Sequence, residues 1–330
     1  MSKPEKVFKS TTDQLKLLQE RGLVIDDPMF AEEALIRTSY YEIINGYKDL
    51  FVKIDSEEER FESGTTFSEI YYLYELDNTI RFAMLSATLS AENLLRSVIA
   101  YVLAENHGHS VKDYQHNRNY QQGKKIIRGR AKGKFERELL LQIFSEVYYS
   151  THQPMTYYRE TYQDMPPWIL VKGLSFGNLQ YLFKLMLPES KTKVIARATG
   201  MNPELITDQT KQAFAETFDI LVAFRNWAAH GGRVYNHRVR KRLSYSPVHT
   251  RFGVTHSAYQ KHDRGQSDVL SFIIALSYLR DRGIQDGFLH AVTSEIDDYL
   301  MRFPRHKTLL LRQMNIPDQL YQEWSHIRQH

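Results

Sequence analysis

Apolar side chains recur along this chain mostly at spacings of three and four, the period of a helix with one buried face. The clearest stretch covers residues 67–106. There Ile70, Leu73, Tyr74, Ile80, Met84, Ala87, Ala91, Leu94, Leu95, Val98 and Val102 form one stripe, with no Gly or Pro before Gly108. At about 1.5 Å per residue such a helix spans on the order of 60 Å, long enough to kink or break. Upstream, Ser10, Thr11 and Thr12 offer caps for a first helix and Gly22 stops it. Asp26 and Asp27 suit a turn and the cap of a second helix over residues 29–45, and residues 57–60 read as a charged, exposed connection. Downstream, the pattern lapses into a loop over residues 107–134 and resumes at 135–149. Pro154, Pro166 and Pro167 then bracket a short segment. Further helices are expected over residues 176–187, from Pro203, over 208–229, 268–280 and 287–302. Residues 231–266 show no period, and only 251–255 resemble a short strand. The expected class is all-α.

Composition narrows the chemistry. The 330 residues fit about two domains or one large one. With 42% hydrophobic and 25% charged residues, wholesale disorder is excluded. The absence of cysteine removes disulfides, zinc ribbons, iron–sulfur clusters and thiol nucleophiles together, and points to a cytoplasmic protein. The first residues are polar and no run of 18 apolar residues occurs, so neither a signal peptide nor a membrane partner is expected.

The formal charge is only +4, so clustering matters more than the total. Lys124, Lys125, Arg128, Arg130, Lys132 and Lys134 crowd together around Gly129 and Gly133, with no acid between them. Arg233, Arg238, Arg240, Lys241 and Arg242, with His237 and Arg251, make a second basic segment. Both suit an RNA backbone, and a solvated surface is the plainer alternative. Tyr235 and Tyr245 suit stacking on unpaired bases or packing in the core.

The stretch "FRNWAAHGGRVYN" carries the candidate chemistry. Asn226 and His230 lie four apart on one helical face, with Arg225 beside them. A guanidinium holds phosphate oxygens through a planar fork of donors. An imidazole gives or takes a proton near neutral pH. RNA supplies its own nucleophile, the 2′-hydroxyl, so the set asks for no metal and no cofactor. Spacing alone also allows a surface Arg and a capping His. Arg233 with His237, Arg251 with His256, and Arg302 with His306 repeat it without the Asn. Asp77, Glu92 and Arg96 sit on the long helix at spacings that suit facing the motif helix. Glu92 either orients Arg225 or His230, or pairs with Arg96. Tyr40, Tyr41, Tyr71, Tyr72, Tyr74, Tyr148, Tyr149 and Trp168 read mainly as core or interface aromatics. Glu295, Asp297 and Asp298 form no metal-ligand pattern.

Five segments in order resemble the Abi family of bacterial abortive-infection proteins (the AbiD/AbiF type), within the HEPN superfamily of α-helical ribonucleases. They are "KVFKSTTDQLKLLQERGLVIDD", "ALIRTSYYEIINGY", the long helix containing Asp77, Arg81, Glu92 and Arg96, "PPWILVKGLSFGNLQYLF" and "FRNWAAHGGRVYN". The resemblance implies a HEPN-like helical bundle. An N-terminal helical extension (1–64) would precede a core (65–310) with basic loop 107–134 and basic segment 231–266, and a C-terminal tail (311–330) would follow. It implies Arg225, Asn226 and His230 as the catalytic set of a metal-independent endoribonuclease acting in phage defence as a toxin. It leaves a 2′,3′-cyclic phosphate, and a homodimer builds the composite site. A non-coding RNA or antitoxin is the implied further partner. The alternative is a catalytically silent HEPN-type protein that holds a structured RNA as scaffold or sensor.

Overall fold

The computed structural model describes residues 8–53 and 58–329. Among them the chain is all-α, with isolated β-bridges but no strand. The helices are α1 (Thr11–Glu20), α2 (Pro28–Thr38), α3 (Phe67–His107), α4 (Val111–Tyr114), α5 (Glu136–Tyr148), α6 (Met155–Tyr162), α7 (Pro167–Gly173) and α8 (Phe176–Leu185). They continue with α9 (Pro188–Thr199), α10 (Asp208–Ala229), α11 (Pro247–Arg251), α12 (His256–His262), α13 (Val269–Ser277), α14 (Arg282–Arg302), α15 (Lys307–Met314) and α16 (Asp318–Gln329). Two compact units divide them. The first holds the described residues up to Phe82, Arg233–Asn236, and those from His290 onward; the second holds Ala83–Gly232 and His237–Leu289.

In the first unit, caps start the helices as the sequence anticipates. The Ser10 hydroxyl accepts from the Asp13 amide (3.2 Å), and the Asp27 carboxylate accepts from the Phe30 amide (3.0 Å). The single helix expected over 29–45 is in fact broken. Ser39 takes φ +87°, and a π-turn over Tyr41–Asn45 follows, burying Ile43 and Ile44. Of the expected charged connection, Glu57 lies outside the described residues. Glu58 and Arg60 are exposed, whereas half-buried Glu59 pairs with Arg21 (2.6 Å) and with Lys48. Residues 311–329, read from the sequence as a tail, continue α15 and form α16. Leu311, Met314, Leu320 and Trp324 are buried there, at an apolar spacing too short to stand out in sequence.

In the second unit, α13 is buried along its length from Val269 to Leu276, so its apolar pattern is continuous rather than periodic. Asp268 caps it, accepting from the amides of Ser271 (2.8 Å) and Gly265 (3.0 Å). α10 packs on it through Phe224 and Phe272 (ring centroids 5.5 Å), and on α8 through Phe214 with Phe183 (5.3 Å) and Phe218 with Phe176 (5.2 Å). α9 went unread in the sequence because Pro188 looks like a breaker. It occupies the first helical position, where its missing N–H costs nothing.

The expected 107–134 loop is corrected. It contains α4, with Tyr114 buried, and a hydrogen-bonded hairpin. Ile126 donates to Lys134 O (2.8 Å) and its carbonyl accepts from Gly133 (2.9 Å), while Glu136 donates to Lys124 O (3.0 Å) and Arg137 to Gln122 O (3.1 Å). The strand suggested at 251–255 does not form. Arg251 ends α11, and Thr255 caps α12 by accepting from Ala258 (3.1 Å). Trp168 is 47% exposed rather than a core anchor, and Tyr41 and Tyr149 are exposed as well; Tyr71 is buried as expected.

Candidate functional site

The motif closes α10, a 22-residue helix whose two faces differ sharply. Phe214, Phe218, Leu221, Phe224 and Ala228, spaced by three or four, are buried. Asn226 and His230 point to solvent on another face, and Arg225 is half-buried beside them. The Arg225 guanidinium donates to the Asn226 amide oxygen (3.2 Å), so the amide steadies the position of that charge. The His230 imidazole is exposed and has no hydrogen-bond partner among the described residues.

The double glycine after His230 has a local cause. His230 is the C-cap, Gly231 takes φ +75°, and the amides of Gly231 and Gly232 bond back to Ala228 O and Trp227 O (3.1 Å each). Those bonds satisfy the last carbonyls of the helix and need a residue that accepts the left-handed region. Gly232 is demanded differently: a Cβ there would collide with the Trp227 indole. The His237 ring stacks on that indole, at 3.9 Å between centroids and 6° from parallel. Trp227 was unread in the sequence, and His237 was read there only as part of the basic segment. Trp227 sits between Asn226 and His230, and a large aromatic facing a glycine five residues on was the available signal. The helix end presenting His230 is therefore rigidly built.

The rest of the motif does other work. In the first unit the buried Asp77 carboxylate accepts from the amides of Val234 (2.8 Å) and Tyr235 (2.6 Å) and from the Tyr47 hydroxyl (2.7 Å). Burial pushes the Asp77 carboxyl up from its usual range, against these hydrogen bonds. Tyr235 stacks on Tyr47 (6.2 Å) and is fully buried, so its suggested role as a base-stacking residue is withdrawn. Its hydroxyl has no partner among the described residues, and burial pushes its phenol up as well. Arg233 donates to Gly46 O and pairs with Asp49 (3.3 Å), which makes it an anchor of this segment rather than an outward-facing cation.

In the second unit Glu92 pairs with Arg96, which also donates to Val171 O. Of the two roles open to Glu92, this is the structural one.

The two basic segments separate in the second unit. Lys124, Lys125, Arg128, Arg130, Lys132 and Lys134 are all exposed on the hairpin. Glu136 at its base takes the Lys124 amide (2.9 Å) and the Lys184 ammonium (2.6 Å), and, against the cost of burial, the charges of Lys184 and Lys124 help hold its carboxyl below the usual range. Lys134 donates to the Gln142 amide oxygen (2.7 Å). In the other segment Lys241 pairs with Asp219 (3.0 Å), and Arg242 reaches Gln266 (3.0 Å) and Asp263 (3.9 Å). Arg238 donates to His237 O (3.0 Å), and Arg240 is exposed. Tyr245 is half-buried, with its hydroxyl on Val254 O (3.2 Å). The described residues contain no cluster of three or more His, Asp or Glu that could hold a metal, and no helix long and apolar enough to cross a membrane.

The model of one protein family, described as Abi-like protein, matches residues 33–236, more than half of the chain and the whole motif. No curated protein and no solved structure matches the chain.

Proposed function

The chain belongs to the family of Abi-like proteins, and from that premise we propose that it is an abortive-infection effector of phage defence that cleaves RNA without a metal. The observation that carries this reading is the exposed end of α10, where Arg225, steadied by Asn226, and His230 share a rigidly capped helix terminus. In the reaction, the 2′-oxygen of RNA bonds to phosphorus and the bond from phosphorus to the 5′-oxygen breaks. A base takes the 2′-hydroxyl proton and an acid protonates the departing 5′-oxygen, leaving a 2′,3′-cyclic phosphate and a 5′-hydroxyl. Arg225 offsets the charge that builds on the phosphate oxygens. His230 serves one of the two proton transfers. One chain carries one such set, so a second copy in a homodimer supplies the other. Light scattering is expected to give about twice the chain mass.

The test is cleavage of RNA in EDTA, alongside growth arrest on expression. His230→Ala is expected to lower cleavage by about 10²–10⁴-fold, the usual range for a lost proton-transfer group, and Arg225→Ala by about 10²–10³-fold, the usual loss for a removed donor to the developing charge. Asn226→Ala should cost less, because it orients rather than reacts. His256→Ala is the control, and should cleave like wild type. Full cleavage and toxicity in both main variants at equal expression would overturn the proposal. The exposed cations of the hairpin favour the silent RNA-holding alternative equally well. A wild-type chain that binds RNA with strong salt dependence yet leaves it intact would select that reading.

A further inference from the structure

The second unit contains a cleft of about 670 Å³ that no residue of the Arg-Asn-His motif lines. That volume lies within the range of about 300–1,000 Å³ usual for small-ligand sites. One wall is the face of α10 that bears Gln209, Gln212 and Glu216, and the cleft also takes in Arg251 from α11, Tyr278 after α13 and Arg282 at the start of α14. Glu216 lies about 13 Å along the helix from Arg225, at nine residues of 1.5 Å rise, so this is a place apart from the motif.

The two arginines keep donors in reserve. Arg251 is exposed and forms no ion pair among the described residues, and Arg282 gives one nitrogen to Ser277 O (2.8 Å) out of five N–H donors. Glu216, the acid of the lining, does not neutralise them. It is bound to the wall instead, accepting from the Ser244 amide (2.8 Å), the Ser244 hydroxyl (2.9 Å) and the Gln212 amide (2.9 Å). A pair of guanidiniums in a cleft suits a phosphate, which their planar forks match. Exposed Gln209 offers both a donor and an acceptor, the kind of group that reads the edge of a base. The Tyr278 ring, with its hydroxyl tied to Ser246 (2.9 Å), offers a flat apolar surface for the ring of a base.

We propose that this cleft binds a phosphorylated nucleoside, with its phosphate on Arg251 and Arg282 and its base against Tyr278 and Gln209. The proposal stands apart from the nuclease reading. The nucleotide comes either free from solution or as one residue of an RNA strand.

Calorimetric titration of AMP, GMP, CMP, UMP and inorganic phosphate into the full chain carrying His230→Ala tests the proposal. At least one mononucleotide is expected to saturate one site per chain and to bind more tightly than phosphate. Arg251→Ala should weaken it by on the order of tenfold or more, the value of a charge-assisted hydrogen bond. This variant is preferred to Arg282→Ala, because Arg282 also caps the Ser277 carbonyl; unchanged far-UV circular dichroism verifies the fold. Displacement of the nucleotide by a short single-stranded RNA would assign the cleft to a strand, and co-occupancy would assign it to the free nucleotide. The proposal fails if no mononucleotide binds at millimolar concentration. It fails too if phosphate binds as well as the nucleotides do, or if the Arg251→Ala, Arg282→Ala double variant binds like wild type. Since binding is read on protein lacking His230, none of these results bears on cleavage.

Discussion

The hairpin at 122–137 and the segment at 233–242 are both strongly basic in sequence but differ in how the fold treats their charge. On the hairpin six cations face water, and the acid nearest in sequence, Glu136, accepts from a backbone amide and from Lys184 and, among the six, feels the charge of Lys124. In the other segment, acids remote in sequence meet three of the five cations: Asp49 for Arg233, Asp219 for Lys241, Asp263 for Arg242. Charge density along a chain therefore does not measure the charge left for a polyanion. What decides is whether folding brings a carboxylate to it, and an exposed ion pair offers a ligand less than a bare cation does.

The largest test of this contrast is the salt dependence of RNA binding. Each phosphate contact on a single strand contributes a slope of about −0.7 in log K against log salt. Replacing Lys124, Lys125, Arg128 and Arg130 by Ala is expected to flatten that slope by roughly 2–3 units if all four touch phosphate. Replacing Lys241 and Arg242 should flatten it by less than about one unit, because their charges are already met. Equal effects in the two variants, measured by filter binding on one oligonucleotide, would erase the distinction.

Stability should move the opposite way. Arg233→Ala strips a donor from Gly46 O and a partner from Asp49, at a cost of about 1–3 kcal/mol. Arg130→Ala, on the hairpin, should stay within about 0.5 kcal/mol. Urea unfolding of both variants reads the difference, and a stable Arg233→Ala would show that its contacts hold nothing.

Acid titration sharpens the same point in the first unit. Burial alone would raise the Glu69 carboxyl, but His306, the Thr66 amide and Arg305 bind its charged form and bring it from 4.5 to about 2. Since the folded value lies below the unfolded one, the stability Glu69 contributes is complete above about pH 4.5 and drains away as the pH falls toward 2. Glu69→Gln should flatten the melting temperature across that window, and an unchanged acid limb would count against the His306 and Arg305 contacts.

The smallest effect is expected at Tyr235→Phe. Its buried hydroxyl has no partner among the described residues, so removing it should be neutral or stabilising by less than about 1 kcal/mol.

What the sequence revealed and what it concealed have physical reasons. Helices α1, α3 and α10 were legible because each carries a local apolar period. The motif was legible because its residues share one helix. Helix α9 was hidden by a proline whose position, not its presence, matters. The hairpin was hidden because its bonds join residues up to 15 apart, such as Arg137 to Gln122, and leave no local period. Tyr235 could not be placed from sequence either. Whether a tyrosine stacks on a base or on Tyr47 depends on Asp77, more than 150 residues away in the chain.

The flat contact between the Trp227 indole and the His237 ring also has a photophysical consequence. A protonated imidazole accepts an electron from an excited indole far more readily than a neutral one does, and van der Waals stacking makes that transfer fast. Any event that slides the two rings apart should therefore change the emission of Trp227. Trp168 and Trp324 have no such ring contact among the described residues and serve as the reference. The helix end that presents His230 thus carries its own optical reporter, one that needs no dye and no added label.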